Sequence, residues 1–345
     1  MGNAEPMSAS TAPTTFFREI DHNRRQSWLL VAVVVVVLGV LGGAIGYATG
    51  YGWGGVAIAV GIAVVLSIGS FFAGDQLVLA SSGAKEIDLA NPPEPYKQFV
   101  NVVTEMQLAS GMPMPRVYVI DDSAPNAFAT GRDPQHASIA ATTGLLQKLD
   151  REELQGVIGH EMSHVRNYDI RFTLLVAVLV GSIALLADFF LRFTFWGGGR
   201  GRSRDSNGDR GGGGLQVLIF VIAIVLAIVA PIVARLVQLA VSRRREELAD
   251  VSSVDLTRNP IGLAKALKAI SDDPDVLEVA NRATQHLYIV NPIKSFEERS
   301  KSMWDTHPPI PERIRILERI AGQMGLAFPP ELEAIAASGA APGQP

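Results

Sequence analysis

Leu154-Gln155-Gly156-Val157-Ile158-Gly159-His160-Glu161-Met162-Ser163-His164-Val165-Arg166-Asn167 sets a His-Glu-x-x-His pattern inside a helix, and the reading of the whole chain turns on it. Helical side chains at i and i+4 lie one above the other. His160 and His164 therefore aim two imidazoles at a single ion, and Glu161 flanks the open coordination position. The surrounding residues favour the helix: Asp150 is a good N-cap, and Glu153 three places on can reach back to it as a capping box. Leu154, Val157, Ile158, Met162 and Val165 recur at helical spacing with both histidines at the edge of their stripe, so the ligands should face the interior. The competing reading is a pair of satisfied core histidines, and it is weighed by looking for a third ligand.

Composition narrows the setting. The chain has 345 residues, 48% of them hydrophobic, and a net charge of only −4. That is too apolar for two ordinary soluble domains, so part of the chain is expected in lipid. No basic excess argues for nucleic acid. Cysteine is absent, which excludes disulfides and thiolate ligands, so a metal site must be built from His, Asp and Glu.

Residues 1–27 read as a mobile N-terminal tail. A transmembrane hairpin over 28–74 follows, with uncharged helices at 28–48 and 55–74 joined through Tyr51-Gly52-Trp53-Gly54. Arg18, Arg24 and Arg25 precede it, which places the N-terminus in the cytoplasm by the positive-inside rule. Residues 75–171 form the first part of a catalytic domain, with a helix from Tyr96 to Ser110 broken by Gly111-Met112-Pro113-Met114-Pro115. Arg116 to Ile120, Ala127 to Thr130 and His136 to Ala141 read as strands, the last two forming a hairpin around Gly131–Gln135. A second hydrophobic hairpin covers 172–234, with runs at 172–190 and 215–234 and a flexible Gly/Arg-rich loop at 197–214. Residues 235–331 complete the catalytic domain, and 332–345 read as a mobile C-terminal tail. Both termini and the catalytic domain are thus cytoplasmic, provided the second hairpin crosses fully. A helix continuous from His164 to Phe172 would stand the metal roughly 12 Å from the third apolar run.

The third ligand must lie on the same side of the membrane as the histidines. Ser242-Arg243-Arg244-Arg245-Glu246-Glu247-Leu248-Ala249-Asp250 is the best candidate. Glu246 and Asp250 share a helical face, so Glu246 could bind the metal while Asp250 fixes the tautomer of a ligating histidine. Glu247 is the competing ligand, and a solvated charge run is the plain alternative.

Taken with Gly111–Pro115, Ala124-Pro125-Asn126-Ala127-Phe128-Ala129-Thr130-Gly131-Arg132, Thr142-Thr143-Gly144-Leu145-Leu146, His307-Pro308-Pro309 and Glu312-Arg313, these motifs give the chain a marked likeness. It resembles the HtpX family of bacterial membrane-embedded zinc endopeptidases, distant relatives of the CAAX prenyl endopeptidases, over roughly 75–325. The resemblance implies a mainly α membrane protein of about four transmembrane helices, with a cytoplasmic α+β zincin-like domain split around the third and fourth. It implies one Zn2+ per chain on His160, His164 and Glu246, with Asp250 behind a histidine, and quality-control proteolysis in the bacterial inner membrane. The long N-terminal tail and the 197–214 loop depart from the family pattern.

Glu161 is then the general base, and His307 is expected to donate to the developing oxyanion. Misfolded membrane proteins or unfolded polypeptides are the expected substrates, docking as an extra strand on Asn126, Ala127, Phe128 and Ala129. The bilayer is the other partner. The alternatives are a non-catalytic membrane scaffold, a CAAX-type processing peptidase and a transporter; the last is weakened because Asp188 alone is ionisable within an apolar run.

Overall fold

The computed structural model describes residues 53–176, 243–275 and 308–338, with isolated helical positions at Arg25, Trp28, Leu29, Ala32 and Val36. The expected spans at 28–48 and 215–234, most of 172–190, the 197–214 loop and His307 lie outside the described residues.

Helix α1 (Trp53–Ser81) runs seven residues past the expected span end at Gly74. Its last turns belong to the catalytic body, since Asp75, Val78 and Leu79 are buried. Side chains of its apolar part are described only in places, and among the described residues no helix is long and apolar enough to cross a membrane. None of the four expected spans is therefore seen as such among the described residues.

A mixed four-stranded sheet follows in the order β1-β2-β4-β3. The strands are β1 (Lys85–Glu86), β2 (Arg116–Ile120), β3 (Ala127–Gly131) and β4 (Ala137–Thr142). The β3–β4 hairpin is antiparallel, as its turn residues lead one to expect, with Ala129 opposite Ile139. The sheet is larger than a hairpin because β2 pairs parallel with β4 and the two-residue β1 pairs antiparallel with β2. Alternation sends Val117, Val119, Ala129 and Ile139 into one core with helix α2 (Lys97–Ser110). Tyr118, Ile120, Phe128 and Ala140 pack on the other face against Val78 and Leu79 of α1. Thr142 caps the short helix α3 (Thr143–Lys148), and its hydroxyl also takes the Asn126 amide at 2.9 Å, pinning the start of β3.

Helix α4 (Arg151–Arg166) carries the histidines. Helices α5 (Arg243–Thr257) and α6 (Pro260–Ser271) pack against it. The approach is so close that a Cβ on Gly156 would lie 2.7 Å from Leu263 Cα, and one on Gly159 would lie 2.8 Å from Ser253 Oγ. Ser253 Oγ instead donates to the Gly156 carbonyl at 2.7 Å. Helices α7 (Ile310–Gln323) and α8 (Pro330–Ser338) close the body through Ile314, Leu317, Leu332 and Ala336.

Two expectations are corrected here. Residues 332–338 are not tail but helix, because Leu332 and Ala336 find an apolar seat and are buried. The helix from His164 does not continue to Phe172 either. Tyr168 takes φ 61°, the chain turns at Asn167–Tyr168, and helix resumes at 169–176. The 12 Å rise therefore does not apply. Phe172, Leu174 and Val176, at the start of the third apolar run, are buried, Leu174 in the cluster of Val78, Leu79 and Phe128.

Candidate metal centre and active site

The capping box forms as read: Glu153 N–H donates to Asp150 Oδ1 at 2.9 Å, and Asp150 N–H donates to Glu153 Oε2 at 3.0 Å. Helix α4 is thereby started in a fixed register, which sets His160 and His164 on the face turned toward α5. The glycines at 156 and 159 let α5 come near enough for its first turns to meet them.

His160 Nε2 and His164 Nε2 lie 3.2 Å apart. Glu246 Oε2 lies 3.5 Å from the first, and Glu246 Oε1 lies 3.6 Å from the second. Among the described residues these three form the group able to hold a metal ion. Donors at about 2.0–2.1 Å from a tetrahedral ion sit roughly 3.3–3.4 Å from one another, so each nearest separation is close to that spacing; the two Glu246 distances run to different oxygens, and with one donor atom per residue the group lies within 4.8 Å. Two imidazoles and a carboxylate are a donor set that suits zinc in a hydrolytic site.

Both imidazoles are oriented through their other nitrogen. His160 Nδ1 is 2.9 Å from Asp250 Oδ1, and His164 Nδ1 is 3.0 Å from Asp169 Oδ2, which leaves each Nε2 for the ion. Asp250 is in turn gripped by Arg313, whose Nε and Nη2 donate at 2.9 and 2.7 Å. Asp169 has Arg245 Nε 3.9 Å away, and the Arg245 guanidinium lies 4.8 Å from the centre of the Phe172 ring.

These contacts decide the charge states of the metal-free site. Burial alone would lower the His160 pKa, but bonds to Asp250 and Glu246 push it up to about 9. His164 moves the same way: burial lowers it, and the Asp169 bond and Glu246 outweigh that. Burial also works to raise the Asp250 carboxyl, yet Arg313 and His160 hold it below the ordinary value. Glu161 is raised, chiefly by burial, against the pull of the two histidines. A raised carboxylate suits a group that must take up a proton.

Glu161 is 2% exposed, and its Oε2 accepts from the Ala129 amide at 2.8 Å. This bears on the expected substrate edge. Strand β3 does lie at the sheet edge, beside the metal group, but Asn126, Ala127, Phe128 and Ala129 are all buried. The Ala129 amide already holds the Glu161 carboxylate, so proline there would disturb Glu161 as well as any docked strand. Glu247 is half-buried and outside the donor triangle. His307 is outside the described residues, although Pro308 next to it is buried.

Asp169 and Arg313 carry positions that sequence reasoning did not assign. Arg313 stood within the quoted Glu312-Arg313 motif without a role. Asp169 reaches His164 only because the chain turns at Asn167–Tyr168, a turn that helical spacing alone does not reveal.

Fold and site together define a metallopeptidase: a His-Glu-x-x-His helix beneath a small mixed sheet, with a carboxylate from a later helix brought up to the two histidines. The chain belongs to peptidase family M48, whose sequence profile matches residues 93–321. It is a metalloprotease. It is 40% identical over 298 residues to the protease HtpX homolog of Thermoanaerobacter pseudethanolicus, covering 86% of this chain and 95% of that one. The protease HtpX homologs of Streptococcus gordonii and Ligilactobacillus salivarius are 41% and 42% identical over 305 residues, covering 88% of this chain and 99% of each relative.

Proposed function

We propose that this protein is a zinc-dependent endopeptidase acting at a membrane surface on extended segments of misfolded or damaged membrane proteins. The observation that carries the reading is the gathering of His160, His164 and Glu246, one donor atom from each within 4.8 Å of the others, with Glu161 beside them. His160, His164 and Glu246 would hold the ion. When bound, zinc supplies Lewis acidity toward water and the scissile carbonyl.

The remaining work falls to the chain. Glu161, steadied by the Ala129 amide, takes the proton of the attacking water and returns it to the leaving amine. Asp250 and Asp169 keep both imidazoles turned with Nε2 inward. His307 is proposed as the donor to the oxyanion, from a segment that ends beside buried Pro308. Substrate is proposed to pair with the β3 edge, where main-chain bonds give affinity without demanding one sequence.

Membrane location is supported by residues 53–74, which hold no charged side chain, and by Val65, Ile68 and Phe72, which stand 55% to 69% exposed on α1. We take the catalytic body and both termini to be cytoplasmic at the bacterial inner membrane. The test pairs zinc content with casein and self-cleavage for purified wild type and Glu161→Gln. Zinc retained with proteolysis abolished is expected; undiminished cleavage by the variant would reject Glu161 as the base.

A further inference from the structure

Away from the metal, a cavity of about 300 Å³ opens between α1 and the turn that joins β3 to β4. Phe72, Asp75 and Gln76 line it from the helix, and Arg116, Arg132 and Gln135 from the sheet side. Its place along α1 is informative. Trp53, 86% exposed, and Phe72, 60% exposed, are nineteen residues apart on one helix with no charged residue between them. At 1.5 Å per residue that separation is roughly 28 Å, close to the thickness of a hydrocarbon core. With Trp53 at one interface, Phe72 and the cavity stand at the other, at the depth of lipid headgroups.

The chemistry of the walls fits that depth. The Arg132 guanidinium lies 4.9 Å from the Phe72 ring centre, and that of Arg171 lies 5.5 Å from Phe71. Arg171 Nε donates to the Arg132 carbonyl at 2.5 Å, which ties the helix entering the third apolar run to the same turn. Arg116 is held by Asp75 at 2.6 Å, whereas the ion-pair contact of Arg132 among the described residues is the longer one to Asp133, at 3.5 Å. Among the lining residues two guanidiniums and the His136 imidazole thus face the single carboxylate of Asp75, with two side-chain amides beside them and apolar α1 leading away. That combination matches an anion carried on an apolar tail.

We propose that this cavity binds the phosphate headgroup of an anionic phospholipid in the leaflet beneath the catalytic body, with Arg132 as its principal contact and the acyl chains along Ile68 and Phe72. The inference rests on the reading that α1 lies in the membrane. Because the β3–β4 turn ends the strand whose Ala129 holds Glu161, an occupied cavity also steadies the strand beside the active site.

The full-length protein in nanodiscs of phosphatidylcholine with one part in three phosphatidylglycerol is washed with mild detergent, and retained lipid is counted by mass spectrometry. Wild type is expected to keep phosphatidylglycerol in preference to phosphatidylcholine. Arg132→Gln, which leaves the Asp75–Arg116 pair intact, should reduce that preference roughly fivefold, while Arg258→Gln, a change at a distant exposed arginine, should not. Equal retention of both lipids, or a preference untouched by Arg132→Gln, overturns the proposal. So does inorganic phosphate at millimolar concentration displacing the lipid completely, since the cavity would then be a site for the free ion. Release of the chain from membranes by alkaline carbonate would sink the membrane reading itself, a result distinct from membrane retention without lipid preference.

Discussion

Replacing Arg313 with methionine keeps the length of the side chain and removes its charge and donors. Arg313 and Asp250 are both 0% exposed. The guanidinium makes two bonds to the carboxylate, at 2.9 and 2.7 Å. Its 3.4 Å contact with His160 Nδ1 adds no bond, because that nitrogen donates to Asp250 as well. In Arg313→Met, Asp250 keeps only His160 as a charge partner, and breaking a buried pair in this way costs about 3–5 kcal/mol. For a body of this size that corresponds to a fall of roughly 6–20 °C in unfolding midpoint. The assay is thermal unfolding of detergent-purified, metal-free variants at one scan rate, with zinc affinity measured alongside. Asp250→Asn is added to make a double-mutant cycle. If the loss comes from a stranded carboxylate, the double variant unfolds at a higher temperature than Arg313→Met alone, yet binds zinc more weakly than it, since only the double variant has lost the carboxylate that orients His160. A double variant showing the simple sum of the two single losses, or an Arg313→Met midpoint within a degree or two of wild type, would refute the reasoning.

The neighbouring residues separate by the same logic. Glu246→Gln should lose stoichiometric zinc, and Glu247→Gln should keep it; elemental analysis of both reads out which glutamate belongs to the donor triangle. Asp169→Asn removes the carboxylate behind His164 and is expected to weaken zinc binding about 10–100-fold in chelator competition, with an unchanged affinity counting against an orienting role. Gly156→Ala would place a Cβ 2.7 Å from the Leu263 backbone, which cannot move aside as a side-chain end does. Overpacking costs about 1–3 kcal/mol, and because the strain parts α4 from its partner helices, zinc affinity should fall together with the unfolding midpoint.

What was legible in the sequence divides along the line between local and tertiary determinants. The helix over the histidines could be read because its signals are local: the Asp150–Glu153 box, the apolar stripe and the i, i+4 ligand pair all lie within one stretch. The β3–β4 hairpin was legible for the same reason, with Gly131 and the Asp133-Pro134 pair marking its turn. Strand β1 was not, since a two-residue strand has no alternation to detect and exists only because Ile87 and its neighbours meet β2. Glu246 and Glu247 look alike in a charge run. They are told apart by the face that α5 turns toward α4, which depends on how closely Gly156 and Gly159 let the helices meet. Arg313 gives no local sign of burial, because an arginine is buried only when its partner arrives from elsewhere, here Asp250, sixty-three residues earlier.

That dependence on distant partners bears on when the site can exist. His160 and His164 precede the second apolar stretch and Glu246 follows it, so two imidazoles are made long before the carboxylate that completes the donor triangle. Asp250 follows Glu246 at once, but it is buried beside His160 and needs Arg313 to compensate it, and α7, which supplies Arg313, comes still later. A chain shorter than 246 residues holds a histidine pair and no third ligand. One that ends before residue 313 has its ligands but carries a buried carboxylate whose guanidinium is missing, an arrangement that opposes docking of α5 on α4. The donor group is therefore completed last, as a property of the finished body, and on the proposed function an incomplete chain would lack the site with which to cut.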